Sequence, residues 1–368
     1  MKKSLLLVGA FLTVAAMAQA KEIVPAPVVV EEAPVQVVEK EVIVYRDREP
    51  QGFRPNGYVD LQYRYYGEAE ELNYKNNGVS NNYGRTQLMG RINMTENQAL
   101  EYRIRSYNDW NSSSNDKQKG EDGTQTRLRY FYNHGNVGDS SVNLTSRIEY
   151  RKEAESDAQS LEYQARFNFA DYLFNNDFVK TTEFTIAPKY KYYWASNSDD
   201  YQNRLGVDLF TMHQFPFGFS FEFNLYGDQY FYGQRQYTND HSTVKNNTGL
   251  TMEAYLYNTT NLYTNDKFDI DFYFEGGYDP YNWNSEKVLK TAINEKGDLN
   301  DPTNYTYNDN TYELYAYPQI ITTYKVSPNF NVYASLGAEY RNWANINQKS
   351  AKDWRWQPTA VIGFKTTF

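Results

Sequence analysis

The sequence predicts an all-β fold, a transmembrane antiparallel up-and-down β-barrel of about 14 strands. Three observations lead to this prediction. From Gly57 to Phe368, apolar residues recur at every second position within short stretches, the alternate positions are rich in charge, and the breaks between stretches are long and short in turn.

The alternation is clearest in the stretch FDIDFYFEG, in which Phe268, Ile270 and Phe272 alternate with Asp269 and Asp271. A period of two over about ten residues is typical of a strand with one apolar and one polar face. The same period predicts strands near residues 57–66, 84–94, 99–108, 126–133, 141–151, 160–169, 180–194, 201–212, 219–229, 247–257, 268–278, 311–321, 329–340 and 356–368.

The connections between these strands differ in length. Turns such as TENQ and HQFPFG are short, whereas the first, third, ninth, eleventh and thirteenth strands are followed by polar loops at 67–83, 109–125, 230–246, 279–310 and 341–355. A short break at 195–200, where a long loop is due, makes the middle of the chain less regular. Alternating long and short connections are expected of an outer-membrane barrel.

Two architectures could carry the alternation. A soluble sandwich or lipocalin would bury the apolar face, and a membrane barrel would turn that face to lipid and the polar face to water. The charged faces favour the membrane barrel, because an unpaired charge is costly in a packed interior. A barrel of about 14 strands is wider than one of about eight, which side chains can fill, so a channel of modest width is expected. Membrane barrels carry a girdle of aromatic side chains at each membrane surface. The sequence predicts these girdles at the strand ends that carry Tyr65, Tyr66, Tyr130, Tyr132, Tyr192 and Trp194.

The amino-terminal segment differs in composition from the rest. Residues 1–20 combine a basic start, a short apolar run and an A-x-A motif that ends at Ala20, which predicts a cleaved signal peptide. Residues 21–56 are rich in Val, Glu and Pro, which predicts a flexible periplasmic tether before an outer-membrane barrel at 57–368. The sequence contains no cysteine, so disulfides and thiolate sites are excluded.

Residues 43–68, IVYRDREPQGFRPNGYVDLQYRYYGE, and the tyrosine-rich strands that follow resemble the fusobacterial major outer-membrane porins, the FomA-like family grouped with the OmpG-type porins. The resemblance extends over essentially the whole chain after the signal peptide. It implies an outer-membrane barrel with non-specific, voltage-gated channel activity, homotrimers and a role in adhesion between bacteria. Two functions stay open: a porin for passive, weakly selective diffusion of ions and small hydrophilic solutes, and a surface adhesin or receptor anchored by its barrel.

The alternation assigns most charged side chains to the water-filled face, where they would line a pore. The predicted basic set comprises Arg64, Arg85, Arg91, Arg103, Arg105, Arg127, Arg129, Arg147 and Arg166. The predicted acidic set, on the ninth to twelfth strands and without basic partners there, comprises Glu222, Asp228, Glu253, Asp269, Asp271, Glu275 and Glu313. On opposite walls, the two sets would create a transverse field; alternatively, the charges only keep the lumen wet. Interior charges nearly cancel, and the net charge of −9 predicts a weak cation preference.

One long loop has an apolar pattern of its own. The stretch SEKVLKTAINEKG predicts a short amphipathic helix with Ser285 as its N-cap and Gly297 just past its end. The helix is expected to pack over or into the barrel mouth and gate the channel, with an exposed adhesive loop as the alternative. The apolar face of this candidate gating loop comprises Val288, Leu289, Ala292 and Ile293.

The last strand resembles the signal by which barrel-assembly machinery recognises its substrates. Phe364 and the terminal Phe368 lie on the face that alternation assigns to lipid. Thr366 stands between them, at a position where an aromatic residue is commoner. The resemblance makes the assembly machinery an expected partner of this chain.

Catalysis, cofactors and metal ions are not expected. His134, His213 and His241 fall in predicted turns or loops, and no nucleophile, base and orienting residue accompany them. Oxygen-rich stretches such as NDPTNYTYNDN lack the spacing of a calcium loop, and an acidic chain is a poor binder of nucleic acid. Further expected partners are outer-membrane lipids, lipopolysaccharide and the surfaces of other bacteria.

Overall fold

The computed structural model describes residues 52–67, 69–70, 83–109, 123–154, 158–195, 201–238, 242–286, 288, 314–343 and 353–368. These residues form a closed antiparallel barrel, which confirms the predicted all-β, up-and-down fold of about 14 strands. The strands are β1 (Asn56–Tyr66), β2 (Tyr83–Asn93), β3 (Gln98–Asp109), β4 (Gly123–Asn136), β5 (Asn143–Lys152), β6 (Gln159–Asn168), β7 (Lys180–Trp194), β8 (Tyr201–Gln214), β9 (Phe219–Tyr237), β10 (Thr243–Thr264), β11 (Phe268–Asn284), β12 (Leu314–Ser327), β13 (Phe330–Trp343) and β14 (Asp353–Thr367). Among the described residues, no helix is long and apolar enough to cross a membrane.

The barrel closes between its first and last strands. The register runs from Tyr58 opposite Thr367 to Tyr66 opposite Thr359. Beyond the end of β14, the Gly57 amide donates to the Phe368 carbonyl at 3.0 Å, and the Phe368 amide donates back at 3.1 Å. The seam therefore extends to the last residue of the chain, and both edge strands are paired, as closure of a barrel requires.

The two faces of the barrel wall differ in polarity. Leu205 and Leu336 point outward, with exposed fractions of 52% and 61%, whereas Gln164 and Asp208 point inward and are 0% and 2% exposed. Residues that are paired across antiparallel strands lie on the same face, so the register extends this assignment around the barrel. The interior is polar and the outer surface apolar, which is the reverse of a water-soluble barrel.

The strands of one hairpin are longer than the sequence predicts. The expected loop at 230–246 is wrong, because β9 continues to Tyr237 and β10 begins at Thr243. β10 contains 22 residues, whereas a transmembrane strand needs about 9–11. The stretch QYFYGQRQY is polar enough to be taken for a loop, but ladder pairing satisfies its backbone groups whatever the side chains are. The hairpin therefore extends well beyond the length that one crossing requires.

The predicted aromatic girdle is wrong at one residue. Tyr66 is 7% exposed and stacks inside the barrel on Tyr83, with ring centroids 4.3 Å apart. Its neighbour Tyr65 faces outward, because successive residues of a strand alternate between faces. The consecutive residues Tyr65 and Tyr66 therefore supply one ring to each face of the barrel wall.

Candidate pore interior

The register places the predicted charged residues inside the barrel. All nine predicted arginines and six of the seven predicted acids lie on the interior face; Glu313 lies outside the described residues. By strand order, β3 and β10 are half the circumference apart. Whether these residues line an open pore stays a prediction.

Several interior arginines are paired with acids, and the acids of the fifth and sixth strands are not in the predicted set. Neighbouring strands bring opposite charges together, because β3, β5, β6 and β7 each present a glutamate toward an arginine of an adjacent strand. These contacts are mostly charge-assisted hydrogen bonds, so they neutralise part of the basic wall. The pairs are Arg91 with Glu101, Arg129 with Glu149, Arg147 with Glu162 and Arg166 with Glu183.

A buried triad on β7, β8 and β9 corrects the expectation that Asp228 has no basic partner. The Lys189 ammonium lies 2.6 Å from Asp208 Oδ1 and 3.0 Å from Asp228 Oδ1, and the three side chains are 6%, 2% and 10% exposed. Gln164 supports the triad by donating to Asp208 Oδ2 at 2.7 Å. The missed signal is the alternation of APKYKYYW, which directs Lys189 to the same face as the acids.

Gly206 makes the longer contact of this triad sterically feasible. It stands on β8 between Lys189 and Asp228 in the register. A Cβ atom at this position would lie 2.7 Å from Lys189 Cε and 2.8 Å from Asp228 Oδ1. A glycine inside a strand is often a position where other groups approach closely, and here it lets a lysine on one strand reach an acid two strands away.

Asp269 is also paired, contrary to the sequence expectation. Its Oδ1 atom lies 2.7 Å from the Lys325 ammonium. The predicted twelfth strand stopped at residue 321, whereas β12 continues to Ser327 and includes this lysine on its inner face. The pair lies next to the turn that connects β10 and β11. The Lys325 ammonium also donates a hydrogen bond to the Asn265 carbonyl in this turn.

The other described acids of the set accept hydrogen bonds from neutral groups. Tyrosine hydroxyls donate to the carboxylates of Glu222, Glu253 and Glu275, and the Asn261 amide donates to Asp271 at 2.8 Å. A phenol positions a carboxylate without cancelling its charge, so these contacts leave the negative charge on the carboxylates. The tyrosine contacts are Tyr257 to Glu222 at 2.8 Å, Tyr226 to Glu253 at 2.9 Å, and Tyr273 and Tyr315 to Glu275 at 2.9 and 2.6 Å.

The described start of the candidate gating loop is extended rather than helical. Val288 forms an antiparallel bridge with Thr238. The Ser285 hydroxyl and the Glu286 amide both donate to Asn247 Oδ1, at 3.0 and 2.9 Å. A helix capped by Ser285 would need Val288 in helical conformation, so the predicted helix start is wrong. The remaining residues of that prediction, Leu289, Ala292, Ile293 and Gly297, lie outside the described residues.

The histidines occupy different places from those expected. His134 lies within β4 and His213 within β8, and their rings contact the Ser146 hydroxyl at 2.8 Å and the Thr181 hydroxyl at 3.0 Å. His241 lies outside the described residues. In the part of the chain that is described, no group of three or more His, Asp and Glu side chains is arranged to hold a metal ion.

The known proteins to which this chain is similar are solved structures of low sequence identity. No family model matches the sequence, and no curated protein matches it. Among solved structures, it is similar to the outer membrane channel DcaP of Acinetobacter baumannii, with 10% identity, a TM-score of 0.36, and 86% of this chain and 96% of that chain covered. It is also similar to OprB of Pseudomonas putida, with 9% identity, a TM-score of 0.37, and 86% and 94% covered.

A third similar structure is an anion-selective porin from Comamonas acidovorans, with 8% identity, a TM-score of 0.32, and 86% of this chain and 99% of that chain covered. TM-scores this low say nothing about the activity of the present chain. Its fold is established by its own strand pairing.

Proposed function

We propose that this protein is an outer-membrane porin for passive diffusion of ions and small hydrophilic solutes. The observation that supports the proposal most is the arrangement of charge in a closed barrel whose outer surface is apolar. Charged side chains on the interior face require water around them, since an ion in a dry interior costs several kcal/mol even after relaxation. A barrel of about 14 strands is wide enough to hold that water.

The same proposal includes the location and assembly of the chain. Residues 1–20 direct export, 21–56 form a periplasmic tether, and the apolar surface contacts outer-membrane lipids and lipopolysaccharide. The resemblance to the fusobacterial porins extends the proposal in three ways. The barrel-assembly machinery assembles the chain, the chain forms homotrimers, and it binds to other bacteria. The proposal also includes a transverse electric field between the basic and acidic walls. The ion pairs described above reduce this field.

Planar-bilayer recordings test the proposed function. The purified barrel is expected to carry a steady KCl current and, in a salt gradient, to show a reversal potential of weak cation preference, because its net charge is −9. Sugars of increasing size would define the width of the channel. A barrel that carries no current would refute the porin, and marked anion selectivity would refute the charge argument.

The alternative function is a surface adhesin in which the barrel is an anchor. The length of the hairpin formed by β9 and β10 favours it, because this hairpin extends beyond the span of one crossing. The bilayer recording separates the two functions, since an anchor with a closed interior would not conduct. Conduction together with binding to other bacteria would support both roles.

Deletion of residues 289–297 tests the gating loop. The deletion spares Ser285, Glu286 and Val288, which contact β9 and β10. If the segment narrows the barrel mouth, the variant is expected to show a higher conductance or weaker closure at high voltage. The matched control deletes 344–352, a segment of the same length that follows β13. Equal conductance and equal voltage closure in the 289–297 deletion and the full chain would dismiss the gate.

A further inference from the structure

A row of like charges crosses three neighbouring strands inside the barrel. Arg103 on β3 stands directly opposite Arg127 on β4, which stands directly opposite Arg151 on β5. Side chains directly opposite each other on antiparallel strands have Cβ atoms about 4.5–5.5 Å apart, and like charges at such positions are destabilising. A fourth arginine, Arg105, is the next interior residue of β3.

The adjacent row shows how the barrel compensates charge elsewhere. There, Glu101, Arg129 and Glu149 alternate in sign across the same three strands. In the arginine row, by contrast, the acid that the described residues supply is Glu153, whose Oε1 atom lies 2.7 Å from Arg151 Nε. Within the described ranges, no ion pair joins Arg103, Arg105 or Arg127 to a carboxylate.

Two buried glutamines hold these guanidinium groups in place. Arg105 Nε donates to Gln87 Oε1 at 2.6 Å, and Arg103 Nη2 donates to Gln125 Oε1 at 3.1 Å. Gln87 and Gln125 are 4% and 6% exposed. An amide oxygen orients a guanidinium without removing its charge. The Nε atom of Arg103 is buried and has no hydrogen-bond partner among the described residues.

We propose that Arg103, Arg105 and Arg127 form a subsite for small multivalent oxyanions, that is, solutes with several phosphate or carboxylate oxygens. A guanidinium presents its N–H groups in a planar fork that matches phosphate and carboxylate oxygens, and two opposed guanidiniums suit a ligand with more than one negative group. An anion bound there supplies the counter-charge that the row lacks. The subsite rests on the proposed function, because the solute reaches it through the lumen.

Equilibrium binding tests the subsite without requiring conduction. The full chain, folded in detergent, is titrated in a calorimeter with pyrophosphate and, separately, with citrate, which distinguishes phosphate from carboxylate ligands. We expect the unaltered protein to bind the anion. The double variant Arg103→Gln/Arg127→Gln is expected to have a dissociation constant at least about tenfold higher, since hydrogen bonds to charged groups contribute strongly to the binding free energy. The variant Arg103→Lys/Arg127→Lys keeps the charge but loses the planar fork of N–H groups. Its affinity is expected to lie between those of the unaltered protein and the double glutamine variant.

Arg166→Gln is the matched control, because it removes the same charge from an interior arginine that already has an acid, Glu183. Its affinity for pyrophosphate is expected to stay within about twofold of the unaltered protein, since its charge is already compensated. Folding of every variant is checked by the shift in electrophoretic mobility on heating. Absence of binding in the unaltered protein, or an equal loss in Arg166→Gln and the double variant, would overturn the subsite.

Current block gives a second readout. Pyrophosphate is expected to reduce the KCl current of the unaltered channel at concentrations at least about tenfold lower than those needed for the double glutamine variant. Equal block of both channels would contradict the subsite. A barrel that binds pyrophosphate in solution but carries no current would refute the proposed porin function and leave the subsite supported, so the two failures are distinguishable.

Discussion

Replacement of Lys189 by methionine is expected to destabilise the barrel by about 3–5 kcal/mol, because removal of one partner leaves a buried charge uncompensated. In this barrel the lysine serves two acids, Asp208 and Asp228, and all three side chains are at most 10% exposed. Methionine keeps most of the volume and the flexible stem of lysine, so the change removes charge rather than packing. Urea unfolding of the folded barrel in detergent or lipid, followed by tryptophan fluorescence, measures the loss.

Lys180→Met is the matched control, since Lys180 is exposed at the first residue of the same strand, β7. Its cost is expected to be within about 0.5 kcal/mol of zero, as for most surface substitutions. Converting Asp208 and Asp228 to asparagine in the Lys189→Met background should recover much of the lost stability, because no buried charge then lacks a partner. A Lys189→Met variant as stable as Lys180→Met would show that the triad is hydrated and does not stabilise the wall.

Deletion of Phe368 is expected to lower the yield of folded barrel in the membrane while leaving the conductance of the molecules that do fold unchanged. Its amide and carbonyl form the last pair of hydrogen bonds at the seam, with Gly57. Hydrogen bonds of this kind contribute about 0.5–1.5 kcal/mol each. The phenylalanine also belongs to the terminal pattern that resembles an assembly signal, and its side chain, which is 54% exposed, is available to be recognised.

Two substitutions separate the seam from the signal. Phe368→Ala keeps the backbone pair and removes the ring, whereas Phe368→Tyr keeps an aromatic ring at the terminus. If recognition dominates, the alanine variant should assemble as poorly in cells as the deletion, yet refold normally from urea into detergent. If the seam dominates, the alanine variant should behave like the unaltered chain in both assays. Normal insertion of the deleted chain would contradict both explanations.

Three kinds of contact hold the charged groups of the interior. Ion pairs with acids occupy much of the wall from β4 to β9, tyrosine hydroxyls hold the acids of β9 to β11, and amides hold the arginines of β3. Only the first kind cancels charge. The field across the lumen would therefore come from a smaller set of groups than a count of charged residues suggests, with Arg103 and Arg127 near one end of it and Glu222 near the other.

The strength of that field sets how the channel would treat dipolar solutes. Charges separated by more than about 8 Å are largely screened at physiological ionic strength, so the unpaired groups matter most where the lumen is narrow. Tyrosine rings occupy part of the interior, since Tyr66 and Tyr83 stack on the inner face and Tyr317 bonds to Thr359 there. These rings were assigned to the outer surface or left unassigned by periodicity, since a tyrosine suits either an apolar or a wet environment.

The alternation of apolar and polar residues determined the class of fold, the number of strands and the inward face of the predicted charged residues that the structure describes. This was sufficient because the period of a strand is two and does not depend on what lies beside it. The predicted inward face of Arg64 on β1, for example, agrees with the observed register. The terminal strand likewise pairs with the first, as the barrel prediction requires.

Which interior charges are compensated was decided only by the tertiary structure. Periodicity assigns a residue to a face but not to a neighbour, and the neighbours of Lys189 are set by the register of three strands and by the missing side chain of Gly206. Register depends on the pairing of whole strands and the lengths of their turns, which no single stretch encodes. For the same reason Asp228 has a partner that the sequence did not indicate, whereas Arg103 and Arg127 face each other.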